Sequence, residues 1–244
     1  MSAARNRYVI ANWKLNIPPE GIDAYLNAMS GQANVVVAPP YPYIARVAQR
    51  VNAGAQNCAD QTSGAFTGEV SVTMLRECGA RFVIIGHSER RNVYGETDAM
   101  VARKLSLAIE AGLTPVLCIG EDLRVRESNR CAAFLADQIR AVAVPELERD
   151  AEVVVAYEPI WAIGTGRNAS GAMVAESMND IRDALGRFWP ARHCDAAPIL
   201  YGGSVTPDNI GDLSANGNVD GYLVGGASLD SGKFLAIAKT PFAT

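Results

Sequence analysis

The chain has 244 residues, 49% of them apolar and 20% charged, with a formal net charge of −4. That balance supplies ample core material for an α/β protein and argues against disorder. It provides no basic field for nucleic acid or an anionic membrane, so any bound anion must be held locally, by single lysines and backbone amides.

The opening stretch through Lys14 lacks the apolar centre of a signal peptide, and no later apolar run approaches the length of a membrane span. A cytoplasmic protein with no membrane partner is expected. The five cysteines (58, 78, 118, 131 and 194) form no C-x-x-C pair, and with only His87 and His193 available no zinc spacing can be written. No metal and no cofactor are expected.

Taken in chain order, eight short apolar runs read as strands: Tyr8–Ala11, Asn34–Ala38, Gly54–Asn57, Arg81–Gly86, Thr114–Cys118, Glu152–Tyr157, Pro198–Tyr201 and Val219–Val224. Helix-period segments lie between most of them, at Gly21–Met29, Tyr43–Val51, Thr97–Ala111, Asp122–Val142, Ala172–Phe188 and Pro207–Leu213. Repeated strand–helix alternation with no linker or composition shift predicts a single α/β domain, a closed (β/α)8 barrel over residues 1–244. An open doubly wound sheet is the architectural alternative.

In either architecture the chemistry belongs at the C-terminal ends of the strands. The first run ends in Asn12, Trp13 and Lys14, the fourth in His87, Ser88 and Glu89, and the sixth in Glu158. The seventh ends in Gly202, Gly203 and Ser204, and the eighth in Gly225 and Gly226. The sixth is the most informative: an unbroken apolar strand delivers Glu158, Pro159 fixes the backbone at once, and the small-residue segment Ala162–Gly166 follows. A carboxylate on a rigid strand end beside a glycine-rich loop suggests a catalytic base beneath a closing lid.

Glycine pairs after the last two strands let backbone N–H groups approach a ligand, and barrels commonly bind phosphate there. Gly164 supplies a third wall. Lys14 offers a point charge for the same anion or for an oxyanion. His87 lies where an apolar strand gives way to S-E-R-R, so the helix start and the neighbouring Arg90 and Arg91 are expected to hold it neutral, as a hydrogen-bond donor. A carboxylate base, a neutral imidazole, an ammonium and a phosphate cradle fit proton abstraction next to a carbonyl, through an enediolate.

The stretches A-N-W-K (11–14), G-A-F-T-G-E-V-S (64–71), I-I-G-H-S-E-R-R (84–91), C-I-G-E (118–121), Y-E-P-I-W-A-I-G-T-G (157–166), Y-G-G-S-V (201–205) and G-Y-L-V-G-G-A-S-L (221–229) resemble the triosephosphate isomerase family, in family order along nearly the whole chain. The resemblance implies a homodimeric (β/α)8 TIM barrel that interconverts dihydroxyacetone phosphate and D-glyceraldehyde 3-phosphate, an isomerase of glycolysis and gluconeogenesis. By motif, Glu158 is the proton-shuttling base, His87 the electrophile, and Asn12 and Lys14 hold substrate and developing charge. Glu89 would support Lys14. Ser88 would hold Glu158 while the lid is open.

The same resemblance puts Gly164, Ser204, Gly225 and Gly226 on the phosphate. Ile163 and Leu223 would cover Glu158 on closure, Tyr201 would latch the lid, and Cys118 would pack beneath the base. Gln61–Val70 resembles the family's interface loop, with Thr67 at its tip and Glu69 pairing with Arg90 of the other subunit. The lid's second hinge departs from the family pattern, with Arg167-Asn168-Ala169 in place of Lys-Thr-Ala and Gly171 where proline is common. The alternative reading is an isomerase of another short ketose phosphate on the same site.

Overall fold

A computed structural model describes residues 5–163, 169–215 and 219–241. Its strands are β1 (Tyr8–Asn12), β2 (Val35–Ala38), β3 (Asn52–Ala55), β4 (Ala80–Ile85), β5 (Thr114–Ile119), β6 (Val154–Tyr157), β7 (Ile199–Tyr201) and β8 (Gly221–Val224). All pair in parallel and in sequence order, and β1 pairs with β8 as well as with β2, which closes the sheet into a barrel and excludes the open alternative.

The strands alternate between two buried layers, as the two-residue period of a pleated strand requires. Ile10, Val36, Ile84, Val116, Val154, Leu200 and Leu223 fill the barrel, while Val9, Val35, Val83, Leu117, Val155 and Ile199 face the helical shell. Burial on both faces explains the unbroken apolar runs. Each such side chain contributes about 1.5–3 kcal/mol.

Two departures from the sequence reading have local causes. The third strand ends two residues early, at Ala55, with a register irregularity at Ala53/Gly54. Gln56 and Asn57 leave the sheet because their amides are used elsewhere, on the Lys14 carbonyl and the Lys104 ammonium. The long helix expected over Asp122–Val142 is two helices, Leu123–Glu127 and Cys131–Ala141, broken where Asn129 takes a left-handed φ of 56°. Helices Val72–Glu77 and Ser231–Lys239, capped by Ser71 and Asp230, join those the periodicity predicted. Among the described residues, no helix is long and apolar enough to cross a membrane.

Candidate active site

Asn12 is the last residue of β1, and the chain then bends sharply through Lys14. Lys14 sits at φ 52°, a left-handed conformation that costs a residue with a Cβ about 1–2 kcal/mol. Side-chain bonds offset that strain: the Lys14 N–H donates to Asn12 Oδ1 at 3.1 Å, and Gln56 Nε2 donates to the Lys14 and Ala38 carbonyls at 2.9 Å each. The bend aims the ammonium at Glu89, with Nζ 2.6 Å from Oε1.

His87 lies just past β4 and caps the helix Ser88–Tyr94. Its Nδ1 accepts the Glu89 N–H at 3.2 Å, so the ring proton sits on Nε2, which lies 2.9 Å from Glu158 Oε1. Burial pushes His87 toward the neutral form, but the facing Glu158 carboxylate outweighs it and holds the pKa above its ordinary value. The arginines named in the sequence reading are engaged elsewhere, Arg90 with Glu96 at 2.8 Å and Arg91 with Asp98 at 2.6 Å. Glu158, not these arginines, sets the electrostatics of the imidazole.

Glu158 follows β6 and is buried, 2% exposed. Its N–H donates to the Ile119 carbonyl at 2.8 Å, and its Oε2 accepts the Ser88 backbone N–H at 2.9 Å. Ser88 therefore holds the carboxylate through its main chain. Beneath lies Cys118, fully buried; burial pushes its thiol pKa far up, which suppresses the thiolate and leaves a packing role.

The glycine pair after β7 has a different cause from the one read in the sequence. A Cβ on Gly202 would meet Glu158 Cγ at 2.9 Å, and one on Gly203 would meet the Tyr201 hydroxyl at 2.2 Å. These glycines make room for protein side chains. At Gly226 a Cβ would meet nothing within 4 Å. Tyr201 is buried, its pKa pushed up to about 12 by burial, and its hydroxyl has no hydrogen-bond partner among the described residues.

A cleft of about 520 Å³ gathers Asn12, Lys14, His87, Ser88, Glu89, Glu158, Ile163, Ser204, Leu223, Gly225 and Gly226 on one wall system. Gly164, predicted on the phosphate, lies outside the described residues, as do Arg167 and Asn168 of the hinge. A second cavity of about 570 Å³ shares Asn12, Lys14, His87 and Glu89 with the cleft and adds Leu15, Glu69 and Arg90. Thr67 is exposed on the loop beside it.

The triosephosphate isomerase family model matches residues 7–241. The chain belongs to the triosephosphate isomerase family. It is 43% identical over 250 residues to a triosephosphate isomerase of Stenotrophomonas maltophilia, covering 96% of this chain and 98% of that one. A relative of the same name from Alcanivorax borkumensis is 44% identical over 247 residues, with 96% and 98% covered. One from Methylococcus capsulatus is 43% identical over 250 residues, with 97% and 98% covered.

Two residues stand outside the site that the sequence predicts. Gln56 falls in a predicted strand, although an amide ending an apolar run signals a main-chain brace. Glu121, within C-I-G-E, is fully buried and accepts the Tyr157 hydroxyl at 3.0 Å and Trp161 Nε1–H at 2.9 Å, tying down the chain on both sides of Glu158. A carboxylate ending a buried strand was its signal.

Proposed function

We propose that the chain interconverts dihydroxyacetone phosphate and D-glyceraldehyde 3-phosphate by moving a proton between neighbouring carbons through an enediolate. The observation that carries the reading is the Glu158 carboxylate facing His87 Nε2 at 2.9 Å, with Lys14 on the same cleft. A substrate entering there replaces a contact between base and donor with one to each. Glu158 takes the proton from the carbon beside the carbonyl and returns it to the neighbouring carbon. The His87 Nε2–H donates to the carbonyl oxygen as negative charge grows, and Lys14 and Asn12 stabilise the same charge. Glu89 orients Lys14, Ser88 holds Glu158 between turnovers, and Ser204, Gly225 and Gly226 receive the phosphate. Ile163 and Leu223 keep water from the enediolate.

The whole chain works as one barrel domain, in the cytoplasm and as a homodimer. Leu15 and Tyr94, exposed at 94% and 67%, line the second cavity, an apolar surface of the kind that partners cover. The loop 61–70 of one subunit fills that cavity in the other, with Thr67 foremost and Glu69 pairing with Arg90 of the partner subunit. Assay of the purified protein and of Glu158→Gln on glyceraldehyde 3-phosphate tests the chemistry. The expected loss in kcat is about 10²–10⁴-fold with binding of a phosphate-bearing analogue retained. Equal turnover by the two proteins would remove Glu158 from the mechanism.

A further inference from the structure

The wall of the cleft after β7 is short: Ser204, Val205 and Thr206 line it, and the helix Ile210–Ser214 begins just beyond. Asn209, the residue before that helix, does not line the cleft and makes no side-chain cap to its own helix. Its amide turns back instead. Asn209 Oδ1 accepts the Thr206 N–H at 2.8 Å, and Asn209 Nδ2 donates to the Ser204 carbonyl at 2.8 Å. One planar side chain thus grips the backbone on both sides of Val205.

The grip has a geometric consequence. Across a planar trans peptide the C=O and the following N–H point in opposite directions. Holding the Ser204 carbonyl on Asn209 therefore turns the Val205 N–H to the other side. Holding the Thr206 N–H removes that donor from competition for a ligand. The start of the loop is pinned separately, by the Gly202 N–H on the Tyr157 carbonyl at 2.7 Å. Without Asn209, among the described residues, the segment beyond the first anchor keeps the backbone bonds of Asn209 and Ile210 to the Thr206 carbonyl, at 3.3 and 3.1 Å.

We infer that Asn209 is a positioning residue for anion recognition, holding Ser204–Thr206 in the shape that receives a phosphate. The inference rests on the reading of Ser204 as a phosphate contact. The role requires a side chain that donates and accepts at once, which asparagine supplies and aspartate does not. Asp in this place keeps the acceptor, loses the donor and brings a negative charge toward an anion. Asn209 acts on the part of binding that belongs to phosphate, leaving proton transfer at Glu158 and His87 to proceed once substrate is seated.

The test compares the full-length protein with Asn209→Ala and Asn209→Asp on glyceraldehyde 3-phosphate and on unphosphorylated glyceraldehyde, together with inhibition by inorganic phosphate and a thermal melt. Loss of two hydrogen bonds of ordinary net strength predicts a rise of about tenfold in KM and in the phosphate inhibition constant for Asn209→Ala. The kcat on the phosphorylated substrate and the kcat/KM on glyceraldehyde stay within about twofold. Asn209→Asp, which is isosteric, shows at least the same loss of phosphate affinity. Unchanged phosphate affinity in Asn209→Asp would overturn the inference. So would an equal loss on both substrates, which marks a merely structural role. If the wild type failed to isomerise the triose phosphate while Asn209→Asp still weakened inorganic phosphate, the isomerase reading would fall and this inference would stand.

Discussion

The chain has two histidines, both buried, and they sit at opposite ends of the barrel under opposite electrostatics. His87, past the C-terminal end of β4, faces a carboxylate, and its pKa is raised. His193, in the helix Ala191–Ala196 ahead of β7, has Nε2 2.8 Å from the Leu147 carbonyl and its ring edge-on to Trp189, 5.9 Å between centroids. Burial, with a smaller push from Arg192, lowers its pKa. The pair teaches that burial alone does not make a site. His193 has its polar atom answered by a backbone carbonyl and is a packing group. His87 is answered by another ionisable side chain on a cleft, an arrangement a substrate can enter and rearrange.

The largest effect that separates the two is catalytic. His87→Gln should lower kcat by about 10²–10⁴-fold, whereas His193→Gln should leave kcat within about twofold; comparable losses from the two would erase the distinction. Gly202→Ala tests whether the site depends on where Glu158 stands. A Cβ would press on Glu158 Cγ at 2.9 Å, and displacement by ~1 Å is expected to cost about 10²-fold in kcat while the protein still folds. Full activity would show that the carboxylate has room to spare.

Thr67→Arg tests the proposed contact between subunits. Sedimentation and assay at matched concentrations should show dimer and activity falling together, on the order of tenfold, since the cavity proposed as the interface shares Asn12, Lys14, His87 and Glu89 with the cleft. A fully active monomer would uncouple them. The smallest effects are on stability, with opposite signs. For His193, whose folded pKa lies below its unfolded value of about 6.5, stabilisation is complete above that pH and fades as pH falls toward the folded pKa. For His87, whose folded pKa is raised, stabilisation is complete below about 6.5 and fades as pH rises through the folded pKa. Melting curves from pH 5 to 8 should show His193→Gln flattening the acid side and His87→Gln the neutral side, by a few degrees, since about 1 kcal/mol moves Tm by ~2–4 °C in a chain of this size. Identical pH slopes in both variants would contradict the assignment.

Much of the candidate site was legible because strand ends are legible. Apolar runs stop where chemistry begins, so Asn12, Lys14, His87, Glu158 and Ser204 could be named before any fold was known. The braces were not. Gln56 acts on Lys14 across 42 positions of sequence, and Glu121 on Trp161 across 40, distances over which no local period carries a signal. The same holds for the electrostatic cause expected at a residue that the cleft does contain. Arg90 and Arg91 adjoin His87 in sequence but pair away from it, while Glu158, 71 residues distant, sets its protonation.

By itself, then, the amino-acid order determined the alternation of elements, the barrel and the residues that stand at the strand ends, because hydrophobic period and strand termination are properties of neighbours along the chain. Only the tertiary structure decided which groups touch, why Gly202 and Gly203 must lack a Cβ, and that Asn209 turns its amide toward the cleft wall. Those outcomes depend on distances of about 3 Å between atoms far apart in sequence, and such distances exist only once the sheet has closed.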